Sequence, residues 1–112
     1  MNYVPFPEKD WKHLSKIHDA AIERLFEQIF AEARQVMQIE GLSAREQVWK
    51  TKNIIDEGIK DIRLTFDALG FSRSKAGSYL IALYARNALT EEDVAGFSEA
   101  TQERLARWRD SD

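Results

Sequence analysis

Two histidines, scattered carboxylates and a few serines are the residues of this chain whose types can do chemistry, and their spacing argues against most of it. His13 and His18 stand five residues apart. On a helix they point about 140° away from each other, whereas helical zinc pairs stand four apart. No Glu-x-x-His pair of the di-iron kind occurs. No metal site is expected: His18 borders a buried stripe and His13 is exposed. The absence of cysteine excludes thiolate ligands and disulfides and fits a reducing compartment. There is no G-x-S-x-G elbow, and the five glycines form no phosphate loop. Most acidic residues fall opposite the apolar stripes. That pattern fits solvated helix faces better than a cleft holding two carboxylates in different environments. The expectation is no catalytic residue, no cofactor and no small-molecule substrate.

One local pattern fits nucleic acid. Leu69-Gly70-Phe71-Ser72-Arg73-Ser74-Lys75-Ala76-Gly77-Ser78-Tyr79 has the layout of a helix-turn-helix, in which Arg73 and Lys75 meet phosphates and Ser74 or Ser78 meets base edges. A formal net charge of −3 disfavours it. The plainer reading is a solvent-facing connection whose Ser72 or Ser74 caps the next helix.

The elements that would position these residues are all helical. Pro7, followed by Glu8 and Asp10, suits a helix start, and residues 1–7 read as extended. The first helix is expected over residues 8–40, ending at Gly41. Its main apolar seam is Trp11, Leu14, His18, Ala21, Ile22, Leu25, Ile29, Val36 and Ile39. A second seam, rotated by about 100°, is Phe26, Phe30, Ala33 and Met37. Ser43-Ala44-Arg45-Glu46 reads as a capping box opening a second helix over residues 43–69. Its expected buried stripe is Val48, Ile55, Ile59, Ile62, Phe66 and Leu69, with Trp49 about 100° away and Leu64 nearly opposite. A head of short helices over residues 75–109 follows. One helix carries Tyr79, Leu80, Leu83 and Tyr84. A short one opens at Thr90-Glu91-Glu92-Asp93, and a last one, capped by Ser98, carries Leu105 and Trp108. No segment alternates like a strand.

Two adjacent seams on one helix call for two sets of neighbours. One is the second helix, folded back at Gly41-Leu42. The other is a second copy of the chain, which makes Phe26, Phe30, Ala33 and Met37 the expected dimer interface. At 112 residues there is room for one domain with one modest core. No signal-peptide core and no apolar run of about 18 residues is present, so a cytoplasmic protein away from membranes is expected.

The order of these residues resembles a known family. A tryptophan, Trp11, opens the first long helix, followed by Phe26. A second lies early in the next helix, as Val48-Trp49-Lys50, followed by Ile54-Ile55, Ile62 and Phe66-Asp67. The head carries Leu80, Leu83, Tyr84-Ala85 and Leu89-Thr90-Glu91-Glu92-Asp93-Val94. From about Trp11 to Leu105 this resembles the cyanobacterial fluorescence recovery protein family. The resemblance implies an all-α homodimer of stalk and head, without a cofactor. Such a protein binds the photoactivated orange carotenoid protein, speeds its return to the resting form and helps release it from the phycobilisome antenna. The family pattern Trp-x-Leu-His-Asp-aromatic-Leu is altered here. Its positions hold Trp49, Thr51, Lys52, Asn53, Ile54 and Ile55. The family's arginine ten residues after the tryptophan is replaced by Ile59, next to Lys60, and about three extra residues follow Asp67 through the Gly70 turn. Trp49, Lys52, Asn53 and Lys60 are therefore carried over only as candidate partner-contact positions, on a scaffold that allows either the family's partner or a different one.

The expected protein is a single all-α domain over residues 1–112. A long antiparallel helical hairpin forms the stalk and a small C-terminal helical head follows it, with two copies paired. Its expected function is regulation by binding another protein, the orange carotenoid protein or a related photoactive protein. A helix-turn-helix DNA-binding regulator and a purely structural helical dimer are the alternatives.

Overall fold

In the computed structural model, which describes residues 6–110, every regular element is helical. Residues 1–5, part of the stretch expected to be extended, lie outside the described residues. Pro7 is the extended N-cap of α1 (Glu8–Met37), and its carbonyl accepts the Trp11 N–H at 2.9 Å. Thirty residues at 1.5 Å each make a rod of about 45 Å. The helix stops three residues before the expected Glu40. The N–H groups of Gln38 and Ile39 fold back onto Gln35 and Val36 in tighter bonds, and Gly41, at φ +87°, reverses the chain. Ile39, assigned above to the buried seam, lies beyond that end and is exposed.

The capping box forms as expected. Glu46 N–H donates to Ser43 Oγ at 3.1 Å, and Ser43 N–H donates to Glu46 Oε1 at 3.3 Å. It opens α2 (Ala44–Ile62), which runs back antiparallel along α1. Gln47 ties the turn end of the hairpin, its amide donating to the carbonyls of Ile39 (2.9 Å) and Met37 (3.3 Å). The face that α2 turns to α1 is not the expected one. Gln47, Thr51, Ile54, Gly58 and Ile62 are the partly or fully covered residues, and they recur at steps of three and four on one side. Val48, Ile55 and Ile59 stand about 80° round from that line and remain exposed. Gly58 accounts for the rotation. A Cβ at this position would come within 2.5 Å of Ile29 Cγ1, so Ile29 packs straight onto the α2 backbone.

The expected continuous helix to Leu69 is broken by a π-helical turn over Arg63–Asp67, with Ala68 N–H bonding back to the Arg63 carbonyl. No proline or glycine lies in the turn. Tertiary contacts hold it instead: Phe66 is buried edge-on to Tyr79, and Arg86 bonds both Asp61 and Thr65. Gly70, at φ +79°, then turns the chain into the head. A 3₁₀ turn at Arg73–Lys75 leads to α3 (Ala76–Ala85), then come α4 (Glu91–Ala95) and α5 (Glu99–Asp110). The serine caps expected before α3 do not form, because Ser72 and Ser74 bond each other and neither caps a helix N–H. The expected caps at Thr90 and Ser98 do form: Asp93 N–H and Thr101 N–H donate to their hydroxyls.

The head's core gathers Leu14, Phe66, Tyr79, Leu80, Leu83, Phe97 and Leu105, all essentially without exposure. Asp10, in the first turn of α1, is buried beside them. It accepts hydrogen bonds from Ser98 N–H, the Ser98 hydroxyl and the Thr101 hydroxyl. The stalk makes the molecule long, 56 × 27 × 26 Å with a radius of gyration of 17.0 Å. A compact chain of this length would have about 13 Å.

Candidate functional site

The rotation of α2 has a direct consequence for the surface. Phe26, Phe30 and Met37 on α1 and Val48, Ile55 and Ile59 on α2 fall along the same flank of the stalk. Their exposures are 43%, 61%, 58%, 64%, 36% and 37%. Two shallow grooves run along this flank. One, about 380 Å³, lies between Phe26, Phe30 and Met37 on one side and Ile55 and Ile59 on the other. The other, about 470 Å³, continues past Met37 and Ile55 to Val48 and Ala44. Because Met37 and Ile55 line both, the grooves form one strip. Eleven residues along each helix give it a length of about 16 Å. Its polar groups sit at the rim. The Arg34 guanidinium lies 4.5 Å above the Phe30 ring, and Lys52 is paired with Asp56. Contiguous exposed apolar patches of this kind mark interaction surfaces more often than scattered apolar residues do.

Three of the four expected dimer residues, Phe26, Phe30 and Met37, stand on this strip. Ala33 is 4% exposed and forms its floor, covered by the chain's own helices, so it supports the surface without presenting one. Val48, Ile55 and Ile59 complete the far wall. All three belong to the stripe expected to line the hairpin's own interior and stand outside it instead. The available clue was Gly58: a glycine inside a helix costs about 1 kcal/mol relative to alanine, which marks a close approach by another element.

The candidate partner positions divide into two groups. Trp49, Asp56 and Lys60 recur at steps of seven and four on the outward face of α2, away from α1, and are exposed. Asn53, also exposed, lines a groove that α2 shares with Leu25, Gln28 and Ile29 of α1 on the flank opposite the strip. Trp49 makes no ring contact among the described residues and is 58% exposed. Lys52 stands apart from them on the rim of the apolar strip. The outward face thus carries a large aromatic and two opposite charges, with the Asn53 amide at its far edge.

The groups able to do acid–base chemistry serve packing. His13, expected to be exposed, is half buried. Its Nε2–H donates to the Asp93 carbonyl at 2.7 Å, and its ring lies edge-on to Phe97 and against Gly96. His18 stacks on Phe71 and shares a 2.7 Å hydrogen bond with the Tyr79 hydroxyl. Burial, and then the charges of Asp67 and Asp19, push the Tyr79 phenol up to about 12, so it keeps its proton. Among the described residues no group of three or more His, Asp or Glu side chains is placed to hold a metal ion, and no helix is long and apolar enough to cross a membrane.

The helix-turn-helix pattern meets a different obstacle. In α3 only Ser78 and Ala85 are exposed, so the helix lies wedged inside the head. Arg86, at its far end, is engaged with Asp61 at 2.8 Å and Thr65 at 3.0 Å. In comparisons with protein-family models, curated proteins and solved structures, nothing matches this chain.

Proposed function

We propose that this chain is a homodimeric regulator that works by binding another protein and performs no bond chemistry. The observation that carries the reading is the exposed apolar strip of the stalk. Burying it requires a second molecule, and a two-fold contact lets each copy cover the strip of the other. A stable dimer buries about 800 Å² per partner, so the contact would extend from the strip onto its charged rim. The outward face of α2 then stays open beside the dimer contact. Trp49 is the aromatic anchor there, of the kind that dominates binding energy, with Lys60 on the same face and Asn53 and Lys52 at its edges.

The resemblance to the fluorescence recovery protein family gives the partner its class. It is the photoactivated orange carotenoid protein or a related cytoplasmic photoactive protein, whose return to the resting form this chain accelerates by favouring one conformation. With Lys52 and Asn53 in place of the family's His-Asp pair, a changed partner is part of the proposal. Against the DNA-binding alternative stand the burial of most of α3 and the pairing of Arg86 with Asp61; Arg73, Lys75, Ser74 and Ser78 stay exposed.

The test is the colour recovery of photoactivated orange carotenoid protein with and without the chain. Acceleration that falls by about tenfold or more in Trp49→Ala, as for an aromatic anchor, is the expected result. Recovery unchanged by the wild-type chain removes that partner. Recovery accelerated equally by Trp49→Ala removes the outward face as the contact.

A further inference from the structure

A different surface feature lies on the head, away from the stalk. Arg73, Arg104 and Arg107 converge on a concave groove of about 430 Å³ that they share with Ser74, Ser78 and Phe6. The Arg73 Nε–H donates to the Phe6 carbonyl at 2.9 Å, which fixes the side chain and leaves both of its terminal nitrogens to the groove. Arg104 lies along the first turn of α3. A Cβ at Gly77 would stand 3.2 Å from its Nη1, so the glycine leaves room for the guanidinium.

The charge here is unbalanced. Arg24 and Arg86 are each paired with a carboxylate, Asp93 and Asp61. Among the described residues no carboxylate comes within 4.0 Å of Arg73, Arg104 or Arg107. Lys75, on the same turn as Arg73, adds to the positive field, and Glu99 and Glu103 on α5 pair with none of the three. The five residues before Phe6 contain no acidic side chain. Yet the chain as a whole carries 19 acidic against 16 basic side chains. Three guanidinium groups facing one groove repel each other unless an anion lies between them, and guanidinium forks match phosphate oxygens in paired hydrogen bonds.

We infer that this groove binds a small organic phosphate monoester, its phosphate held by Arg73, Arg104 and Arg107 and its organic part against the exposed Pro7 and Ala100. The volume lies within the about 300–1,000 Å³ usual for small-molecule sites, larger than a bare phosphate needs. The Ser74 and Ser78 hydroxyls supply neutral donors beside the arginines. None of these residues belongs to the stalk strip or to the outward face of α2, so the inference stands apart from the proposed function.

The test titrates the full isotope-labelled chain with phenyl phosphate, and separately with inorganic phosphate, at fixed ionic strength, following backbone amide shifts. Saturable shifts confined to residues 73–78 and 100–107, tighter for phenyl phosphate, are expected. The double variant Arg104→Gln, Arg107→Gln should bind roughly tenfold or more weakly, with an unchanged melting temperature because both side chains are exposed. Absent or non-saturable shifts, shifts spread along the stalk, or wild-type binding by the double variant would overturn the inference. Equal affinity for the two phosphates would overturn the assignment to an ester. Tighter binding of a short DNA duplex through the same residues would move the site to nucleic acid.

Discussion

Asp10 is the residue through which the start of α1 holds the end of the chain. Its carboxylate is fully covered and accepts three hydrogen bonds, from Ser98 N–H at 2.7 Å, the Ser98 hydroxyl at 2.7 Å and the Thr101 hydroxyl. Burial alone would raise its pKa. The bonds from Thr101 and Ser98, with the charge of Lys9, outweigh burial and hold it below the ordinary aspartate value. Arg86 holds Asp61 low in the same sense. At Asp93 burial again acts upward and is outweighed by bonds from Thr90 and Arg24. A carboxyl whose folded pKa is depressed contributes stability that is present above its unfolded pKa, about 3.9, and is lost as pH falls through the folded value. The fold should therefore keep its stability from neutral pH down to about 4 and lose it below. In Asp10→Ala the Ser98 and Thr101 donors lose their acceptor in a buried place. A loss of about 3 kcal/mol is expected, read by urea denaturation at neutral pH, with a shallower acid slope than wild type. Asp10→Asn, which keeps one acceptor, should lose less. Nothing in the sequence pointed to this role, because Ser98 and Thr101 lie about ninety positions away and only the assembled head brings them to the first turn of α1.

At the scale of elements, the stalk depends on how closely α2 approaches α1 at Gly58. Alanine there gains about 1 kcal/mol of helix propensity. Its Cβ, however, would fall 2.5 Å from Ile29 Cγ1 and 2.6 Å from Cδ1, and Ile29 is packed against the core. Overpacking of this kind costs about 1–3 kcal/mol. Gly58→Ala should thus lower the melting temperature, and Ile29→Ala, which removes both Cγ1 and Cδ1, should cost less in the Gly58→Ala chain than in the wild type. An unchanged melt in Gly58→Ala would mean that the helices part there without cost. The same contact explains what was legible in the sequence. Local signals came through: the Ser43–Glu46 and Thr90–Asp93 boxes and the Gly41 reversal form as expected, and both rods are helical, though each is shorter than expected. Periodicity also placed Phe26, Phe30 and Met37 on a surface apart from the main seam. It did not fix the rotation of α2, because two lines of the helix carry apolar residues. The one that packs is chosen by the missing side chain of Gly58, not by the summed hydrophobicity of Val48, Ile55 and Ile59. The π turn at Arg63–Asp67 was equally hidden, since it is held by Phe66 packing on Tyr79 of a later helix and by Arg86, at the end of that helix, donating back to Thr65.

For the molecule as a whole, a radius of gyration of 17.0 Å in 112 residues means that much of the apolar surface lies outside any core. The head closes on itself, with Phe97, Leu80, Leu83 and Leu105 all at 2% exposure or less. The stalk, two helices thick, can bury only one face of each. That division predicts where disruption separates assembly from folding. Phe30→Asp puts a carboxylate at a position 61% exposed in the single chain, one turn from Arg34. In the free monomer the new Asp–Arg pair is solvated and helps the helix by about 0.2–0.5 kcal/mol, so helicity and head packing should persist. In the dimer the charge would enter an apolar interface, where leaving it without a buried partner costs about 3–5 kcal/mol. That is sufficient to raise the dissociation constant by more than a hundredfold. Sedimentation equilibrium should show the wild-type chain as a dimer and Phe30→Asp as a folded monomer with unchanged circular dichroism. Ile59→Ala, at the opposite wall of the groove, should likewise weaken association more than it lowers monomer stability, because Ile59 is over a third exposed in the single chain. A Phe30→Asp chain that still sediments as a dimer would place the contact on some other face, and a wild-type monomer at high concentration would leave the strip to the partner protein alone.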